Sequence, residues 1–216
     1  MPKLLKMKKT LLIITICLIA LNVSAQKQIF ESPNLKAAIK VQKLVAILPF
    51  SVSITYKKQP KDYDPAANKA QELKSGKSIQ SSMYTYLLRR VNDYSVSFQD
   101  VEKTNVILLK NKMIDSLDTY TKDEIAKKLG VDAVIYGSYS QATTRSEAGA
   151  IVTTALFGGW GSKTGDGTIV MQIANGTDGE TLWRYTKRMS EGILVSTDDV
   201  IESQMRKISR NFPYMK

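Results

Sequence analysis

Residues 157–167, FGGWGSKTGDG, have the glycine-rich composition around a Lys-Thr pair that is typical of loops holding a phosphate. Such a loop requires Gly-x-x-x-x-Gly-Lys-Ser/Thr between a strand and a helix, because consecutive backbone N–H groups and the helix N-terminus bind the phosphates together. Here Ser162 separates Gly161 from Lys163, and Leu156 stands where the first glycine is required. A strand pattern follows the loop instead of a helix. The spacing therefore argues against nucleotide binding.

The residues that most enzymes use for nucleophilic or acid-base catalysis are scarce in this chain. It contains no histidine, and its one cysteine, Cys17, lies in a predicted signal peptide, so the mature chain has no thiol nucleophile, Cys/His zinc site or histidine triad. Carboxylates remain as possible catalytic groups. Each set of them also has a structural explanation, as turn residues or as acids in the first turn of a helix. The sequence thus predicts no enzyme, catalytic residue, metal or cofactor, with a carboxylate-dependent glycan hydrolase left as an alternative. The candidate acids are Asp115 with Asp118, Asp123 with Glu124, and Asp198 with Asp199 and Glu202.

The N-terminal 25 residues predict export. Four lysines within residues 3–9 precede the apolar residues 11–21, and the small residues ending at Ala25 form a cleavage site of the secretory type. Ile16 before Cys17, with apolar residues continuing after it, argues against a lipid-anchored cysteine. We expect a mature protein located in the periplasm or on the periplasmic face of the outer membrane of a bacterium.

The charge of the chain favours anionic partners. The formal net charge is +11, of which the four lysines of the predicted signal peptide account for four. The remaining basic residues are scattered, as on a solvated surface, and no nucleic-acid-binding module is recognisable. We therefore expect no nucleic-acid partner.

The order of predicted elements is β-α-β-α-α-β-β-β-α. Residues 131–139 are apolar on both faces of a strand, which predicts a central strand. A capping box at residues 121–124 predicts the start of a short helix. The Asn-Gly and Asp-Gly pairs in residues 175–179 predict a hairpin. We expect one α/β (α+β) domain, with a mixed sheet of about five strands and helices packed against it. The predicted strands are residues 44–50, 94–98, 131–139, 168–174 and 181–185, and the predicted helices are residues 65–92, 101–113, 121–130 and 197–212.

Residues 141–166 form an insertion between two predicted strands. Its residues 148–161, AGAIVTTALFGGWG, carry no charge, so they predict packing on the domain, an exposed partner-binding patch, or a membrane-touching hairpin. We expect contact with a partner or a membrane through five apolar side chains of this run: Ile151, Val152, Leu156, Phe157 and Trp160.

Three motifs resemble one family of bacterial envelope proteins, the family of CsgG, LpoB and the N-terminal domain of TolB. They are VAILPF at residues 45–50, AKKLGVDAVIYGSY at residues 126–139 and TDGETLW at residues 177–183. The resemblance implies a shared fold over residues 43–212 and an envelope compartment. It implies no active site, because members of this family act by binding and assembly.

The resemblance to a secretion pore of this family is incomplete. Such a pore sends two hairpins per subunit into the membrane, whereas residues 190–197 are too few for the second hairpin. We therefore expect a signal peptide (1–25), an N-terminal lead (26–42) and one domain (43–212) that acts as a non-enzymatic envelope binding or assembly module with an envelope protein partner. A subunit of an oligomeric outer-membrane secretion pore or complex is the alternative, and homo-oligomerisation is left open.

Overall fold

The computed structural model describes residues 28–56, 59–143, 167–189, 197–208 and 211–216. The predicted signal peptide lies outside these residues. Within them the chain forms seven strands: β1 (Gln28–Glu31), β2 (Leu44–Ile47), β3 (Ser51–Tyr56), β4 (Ser97–Phe98), β5 (Ala133–Thr143), β6 (Gly167–Asn175) and β7 (Thr181–Met189). The same residues form five α-helices: α1 (Leu35–Val41), α2 (Pro65–Leu88), α3 (Val101–Lys110), α4 (Lys122–Leu129) and α5 (Thr197–Ile208).

Local side-chain hydrogen bonds begin three of these helices. The Asp64 carboxylate accepts from the backbone N–H of Ala66 at 2.8 Å before α2, and the Asp100 carboxylate caps α3 in the same way. Thr121 and Glu124 form the predicted capping box of α4, and Gly130 ends that helix with a left-handed φ of +69°. These caps satisfy the N–H groups that a helix N-terminus leaves free.

The strands form one mixed sheet in the order β1-β7-β6-β5-β2-β4. The long central strand β5 is parallel to β2 along its first residues and parallel to β3 along its last ones, so that Val45 lies opposite Ala133 and Ser51 opposite Ser138. On its other side β5 is antiparallel to β6, which is antiparallel to β7. The α/β fold class and the central position of the strand predicted at 131–139 are therefore confirmed.

The sheet has seven strands where the sequence predicted about five. β1, α1 and β3 were not predicted, and β1 and α1 lie within the predicted N-terminal lead. Long-range contacts stabilise these short elements: β1 pairs with β7, and Leu35 of α1 is buried in the core. The strand predicted at 94–98 shortens to β4, because Tyr94 pairs with Met215 of the C-terminal segment instead.

One face of the sheet, which we call the covered face, packs against α1, α2 and α5. Trp183 and Tyr185 of β7 are fully buried on this face, and the Trp183 ring lies 6.0 Å from that of Phe212 in an edge-to-face arrangement. The helices contribute apolar side chains such as Met83 of α2 and Met205 of α5. This cluster is the main hydrophobic core of the described residues.

The described residues cover the opposite face at the end of the sheet where β2 and the first residues of β5 lie. There Ala46 and Val134 pack against Leu108 of α3 and Ile125 of α4. Beyond this second cluster the side chains of the sheet reach solvent. The sheet is thus buried on both faces at one end and on a single face at the other.

A close backbone contact holds α2 against the sheet. The N–H of Phe50 donates to the carbonyl of Gly76 at 3.2 Å, and a Cβ atom at Gly76 would lie only 2.1 Å from the Phe50 carbonyl oxygen. Gly76 lies in the middle of α2, where glycine disfavours a helix. It is required there because only a residue without a Cβ atom lets α2 approach the backbone of Phe50 this closely.

Side chains of α2 occupy the outer edge of β3. The N–H of Ile54 donates to the Glu72 carboxylate at 2.9 Å, and the Asn68 amide donates to the Ile54 carbonyl at 3.5 Å. Tyr56 donates its hydroxyl hydrogen to the Asn68 side-chain oxygen at 3.0 Å. These bonds replace the neighbouring strand that an edge strand otherwise lacks.

Candidate functional site

The uncovered part of the opposite face spans five strands in the order β3-β5-β6-β7-β1. We call it the open face. Its side chains are exposed or half-buried, because successive residues of a strand point to opposite faces of a sheet. The open face consists of Gln28, Phe30, Ser51, Ser53, Thr55, Ser138, Ser140, Thr168, Val170, Gln172, Arg184, Thr186 and Arg188.

Strand register places the side chains of the open face in rows across the sheet. One row contains Tyr136, Gln172, Arg184 and Phe30 on β5, β6, β7 and β1. Such directly opposed residues have Cβ atoms about 5 Å apart. Two further rows contain Ser51, Ser138, Val170, Thr186 and Gln28, and then Ser53, Ser140, Thr168 and Arg188.

The open face carries positive charge without a carboxylate. Arg184 donates from Nη1 to the neutral side-chain oxygen of Gln172 at 3.2 Å, and Arg188 is exposed and makes no hydrogen bond or ion pair with the described residues. None of the residues that form the face is Asp or Glu. Within the part of the chain that the structure describes, neither guanidinium group is paired with a carboxylate.

Hydroxyl groups make up most of the remaining polar surface. Thr55 donates its hydroxyl hydrogen to the Gln141 carbonyl at 3.3 Å. The other Ser and Thr hydroxyls of the face make no hydrogen bond with the described part of the chain, and each can both donate and accept one. They belong to Ser51, Ser53, Ser138, Ser140, Thr168 and Thr186.

A lysine marks the border between the open face and α4. Lys122 Nζ lies 5.2 Å from the centre of the Tyr136 ring and donates to the Leu117 carbonyl at 3.3 Å. Partial burial lowers the pKa of Lys122, and the charge of Asp118 opposes that shift. The Tyr136 ring is thus held under a cation at the margin of the face.

The five residues predicted to contact a partner or membrane, Ile151, Val152, Leu156, Phe157 and Trp160, lie outside the described residues. The structure does place the two ends of the segment that contains them. β5 ends at Thr143 and β6 begins at Gly167, and Gln141 pairs directly with Gly167. The segment therefore leaves and rejoins the sheet at neighbouring positions, beside the open face.

Most of the glycine-rich stretch at residues 157–167 also lies outside the described residues. Its last residue, Gly167, begins strand β6. A strand and not a helix thus follows the glycine-rich loop, as the sequence predicted. The helix N-terminus that a loop of the Walker type needs does not follow it.

The acids of α4 have structural roles. Glu124 accepts a hydrogen bond from the Thr121 backbone N–H at 2.9 Å. A hydrogen bond from the Thr121 side chain lowers the pKa of Asp123, which favours a charged carboxylate at the helix N-terminus. These two residues are arranged as a helix start and not as a catalytic pair.

The other candidate acids are not brought together by the described residues. Asp115 and Asp118 lie on the exposed loop before α4, whereas Glu202 of α5 forms an ion pair with Arg89 at 3.5 Å. The side chains of Asp198 and Asp199 lie outside the described part. No group of three or more metal-ligating side chains occurs among the residues that the structure describes.

Among the described residues, no helix is both long enough and apolar enough to span a bilayer.

The open face was not predicted, although the sequence carries a signal for it. The stretch SVSITY at residues 51–56 alternates small polar and apolar side chains, as does the second half of β5. This period of two is the pattern of a strand with one solvated face. Which strands lie next to each other depends on long-range pairing, which local periodicity does not encode.

Comparisons with solved structures find similar chains at low identity. The PelC dodecamer from Paraburkholderia phytofirmans is 14% identical, with a TM-score of 0.42 over 88% of this chain and 99% of that chain. LpoB from Escherichia coli is 15% identical, with a TM-score of 0.39 over 74% of this chain and 65% of that one. The LpoB C-terminal domain from Salmonella enterica is 12% identical, with a TM-score of 0.35 over 73% and 93%.

The similar structures share one member with the predicted family resemblance. LpoB is among the similar structures, whereas the resemblance to CsgG and to TolB stays a prediction. No family model matches the sequence, and no curated protein matches it. The TM-scores are too low to assign this chain a family, a partner or an oligomeric state.

Proposed function

We propose that this chain is an exported, non-enzymatic module of the bacterial cell envelope that binds a protein partner through residues 148–160. The contact side chains are Ile151, Val152, Leu156, Phe157 and Trp160. Tryptophan, here Trp160, is enriched among the residues that contribute most of the binding energy at protein interfaces.

The observation that carries this proposal is the position of the two strand ends. Thr143 and Gly167 bound a segment of 23 residues, and β5 and β6 run antiparallel up to it. A run of fourteen uncharged residues is therefore connected to the sheet at one place on its border. Uncharged stretches with aromatic residues at such borders are typical of partner-binding surfaces.

Two sequence features support location in the envelope. Residues 1–25 have the charged, apolar and small-residue regions of a secretory signal. The motifs at residues 45–50, 126–139 and 177–183 resemble those of envelope proteins that act by binding. The structural roles of Glu124 and Glu202 support a function without carboxylate catalysis.

Site-specific photo-crosslinking in the native host tests the proposed contact. A photoreactive amino acid at Leu156 should give a discrete adduct with an envelope protein, whereas the same probe at Leu73, which is 42% exposed on α2, should give none. The double substitution Phe157→Ser and Trp160→Ser should remove the adduct without changing the thermal unfolding temperature. Adducts that persist in this variant would show that the contact lies elsewhere.

The alternative, a subunit of a membrane-embedded ring, is favoured by one observation. Two long antiparallel strands, β5 and β6, flank the uncharged run at residues 148–161 with only four and five residues between, as the arms of a membrane hairpin would. Washing native envelopes with salt and alkali separates the two proposals. Release supports a soluble or peripheral binding module, and retention until detergent is added supports the membrane subunit.

A further inference from the structure

We propose that the open face is a binding surface for an extended, carboxylate-bearing polysaccharide. This function is additional to the protein contact through residues 148–160 and does not depend on it. The proposed surface uses Arg184 and Arg188 for the carboxylates and the serine and threonine side chains of β3, β5, β6 and β7 for the sugar hydroxyls.

The shape of the open face suits an extended polymer. Five adjacent strands make a surface about 19 Å across, at about 4.8 Å between neighbouring strands. Arg184 and Arg188 lie four residues apart on the same face of β7, which places them about 13 Å apart along the strand. One extended chain can therefore present different carboxylates to the two guanidinium groups.

The charges of the open face select an anion. Arg184 is hydrogen-bonded to a neutral amide, and Arg188 has no partner among the described residues. A guanidinium binds a carboxylate through two parallel N–H···O bonds, and such charge-assisted bonds are about twice as strong as neutral ones. Because no Asp or Glu belongs to the face, a bound carboxylate meets no repulsion from it.

The hydroxyl groups favour a glycan over an acidic protein. Serine is depleted at protein–protein interfaces, and serine and threonine are rare among the residues that dominate binding energy there. Each hydroxyl can donate and accept a hydrogen bond, which matches the hydroxyls of a sugar. The six hydroxyls that make no hydrogen bond with the described part of the chain lie in rows around the two arginines.

Aromatic rings lie at the margins of this polar surface. Phe30 is 51% exposed on β1, and the half-buried Tyr136 begins the same row on β5. The apolar face of a sugar ring packs against an aromatic ring, so Phe30 provides such a contact at the end of the row. The open face thus combines donors, acceptors, cations and an aromatic contact in one plane.

Polygalacturonate is the probe for this proposal, with its fully methyl-esterified form as the neutral control and poly-L-glutamate as the acidic peptide control. Isothermal titration with the mature full-length chain should show binding of polygalacturonate alone. Arg184→Gln with Arg188→Gln should weaken it at least about tenfold, the effect of losing one charge-assisted hydrogen bond. Lys74→Gln with Lys77→Gln, which removes the same charge from exposed positions on α2, should change the affinity less than about twofold.

A second variant tests the hydroxyl groups separately. Ser138→Ala with Ser140→Ala should weaken polygalacturonate binding about threefold to tenfold, as expected for the loss of neutral hydrogen bonds. Thermal unfolding of every variant should match that of the unsubstituted chain, because all six substituted positions are exposed. Equal binding of poly-L-glutamate, equal losses in the arginine and lysine variants, or no binding of polygalacturonate would each overturn the proposal. Photo-crosslinking at Leu156 is unaffected by any of these outcomes.

Discussion

The two faces of the sheet use the same strands for different purposes. Trp183 and Arg184 are adjacent on β7, yet the first is fully buried on the covered face and the second is exposed on the open face. The covered face is closed by helices, whereas the open face has hydroxyl and guanidinium groups directed to solvent. Folding stability therefore resides mainly in one face, and the other is available for recognition.

The long strand β5 shows this difference along its own length. Val134 is fully buried against α3 and α4, whereas Ser138, four residues further along the strand, is exposed on the same face. On this face, none of the described helices packs against the second half of β5. The boundary between packing and recognition thus falls within one strand.

The largest expected effect separates the two faces directly. Trp183→Ala removes a fully buried indole that stacks on Tyr185 and meets the ring edge of Phe212, so it should lower the free energy of unfolding by about 3–5 kcal/mol. Arg184→Ala, one residue away, should change it by less than about 0.5 kcal/mol. Urea denaturation measures both, and similar losses in the two variants would contradict the division between the faces.

A smaller effect tests how closely α2 covers the sheet. Helix propensity alone predicts that Gly76→Ala stabilises the chain by about 1 kcal/mol. Because the added Cβ would lie 2.1 Å from the Phe50 carbonyl oxygen, we expect destabilisation by about 1–3 kcal/mol instead. Ser81→Ala, exposed on the same helix, is the matched control and should be neutral or slightly stabilising. A gain in stability for Gly76→Ala would show that the helix lies further from the sheet.

The smallest expected effect is a decrease in the free energy of unfolding at alkaline pH, caused by a tyrosine on the covered face. Burial raises the pKa of Tyr139 from 10.0 to about 12. The stabilisation linked to its protonated hydroxyl is therefore fully present below pH 10 and is lost as the pH rises toward 12. Tyr139→Phe should reduce the loss of unfolding free energy across this interval by about 1 kcal/mol.

The neighbouring residue on the open face provides the control for this pH dependence. Ser140→Ala should leave the change between pH 10 and 12 as it is in the unsubstituted chain. Burial also raises the pKa of Tyr94 to about 12. Part of the loss of unfolding free energy between pH 10 and 12 should therefore remain in every variant. An unchanged profile for Tyr139→Phe would mean that its hydroxyl is solvated in the folded chain.

Elements with strong local signals could be predicted from the sequence. The capping box at Thr121 and Glu124, the glycine stop at Gly130 and the hairpin between β6 and β7 depend on neighbouring residues, and all are present. β1 and α1 were missed, since four to seven residues with weak periodicity are stabilised only by distant partners. β3 was missed although its alternation was visible.

The binding surfaces could be predicted only in part. The uncharged run at residues 148–161 is visible in the sequence because its residues are contiguous. The open face combines residues from β1, β3, β5, β6 and β7, and Phe30 lies opposite Arg184 although 154 positions separate them in the chain. Such a surface exists only after strand pairing, so no local pattern of residue types identifies it.

The side chains of α2 that occupy the edge of β3 determine how the chain can associate with other molecules. Strand addition from a second molecule requires free N–H and C=O groups, and at Ile54 both groups are already bonded, to Glu72 and Asn68. Backbone pairing at this edge would have to break those bonds first. Copies of the protein at high local concentration are thereby hindered from growing into fibrils through β3.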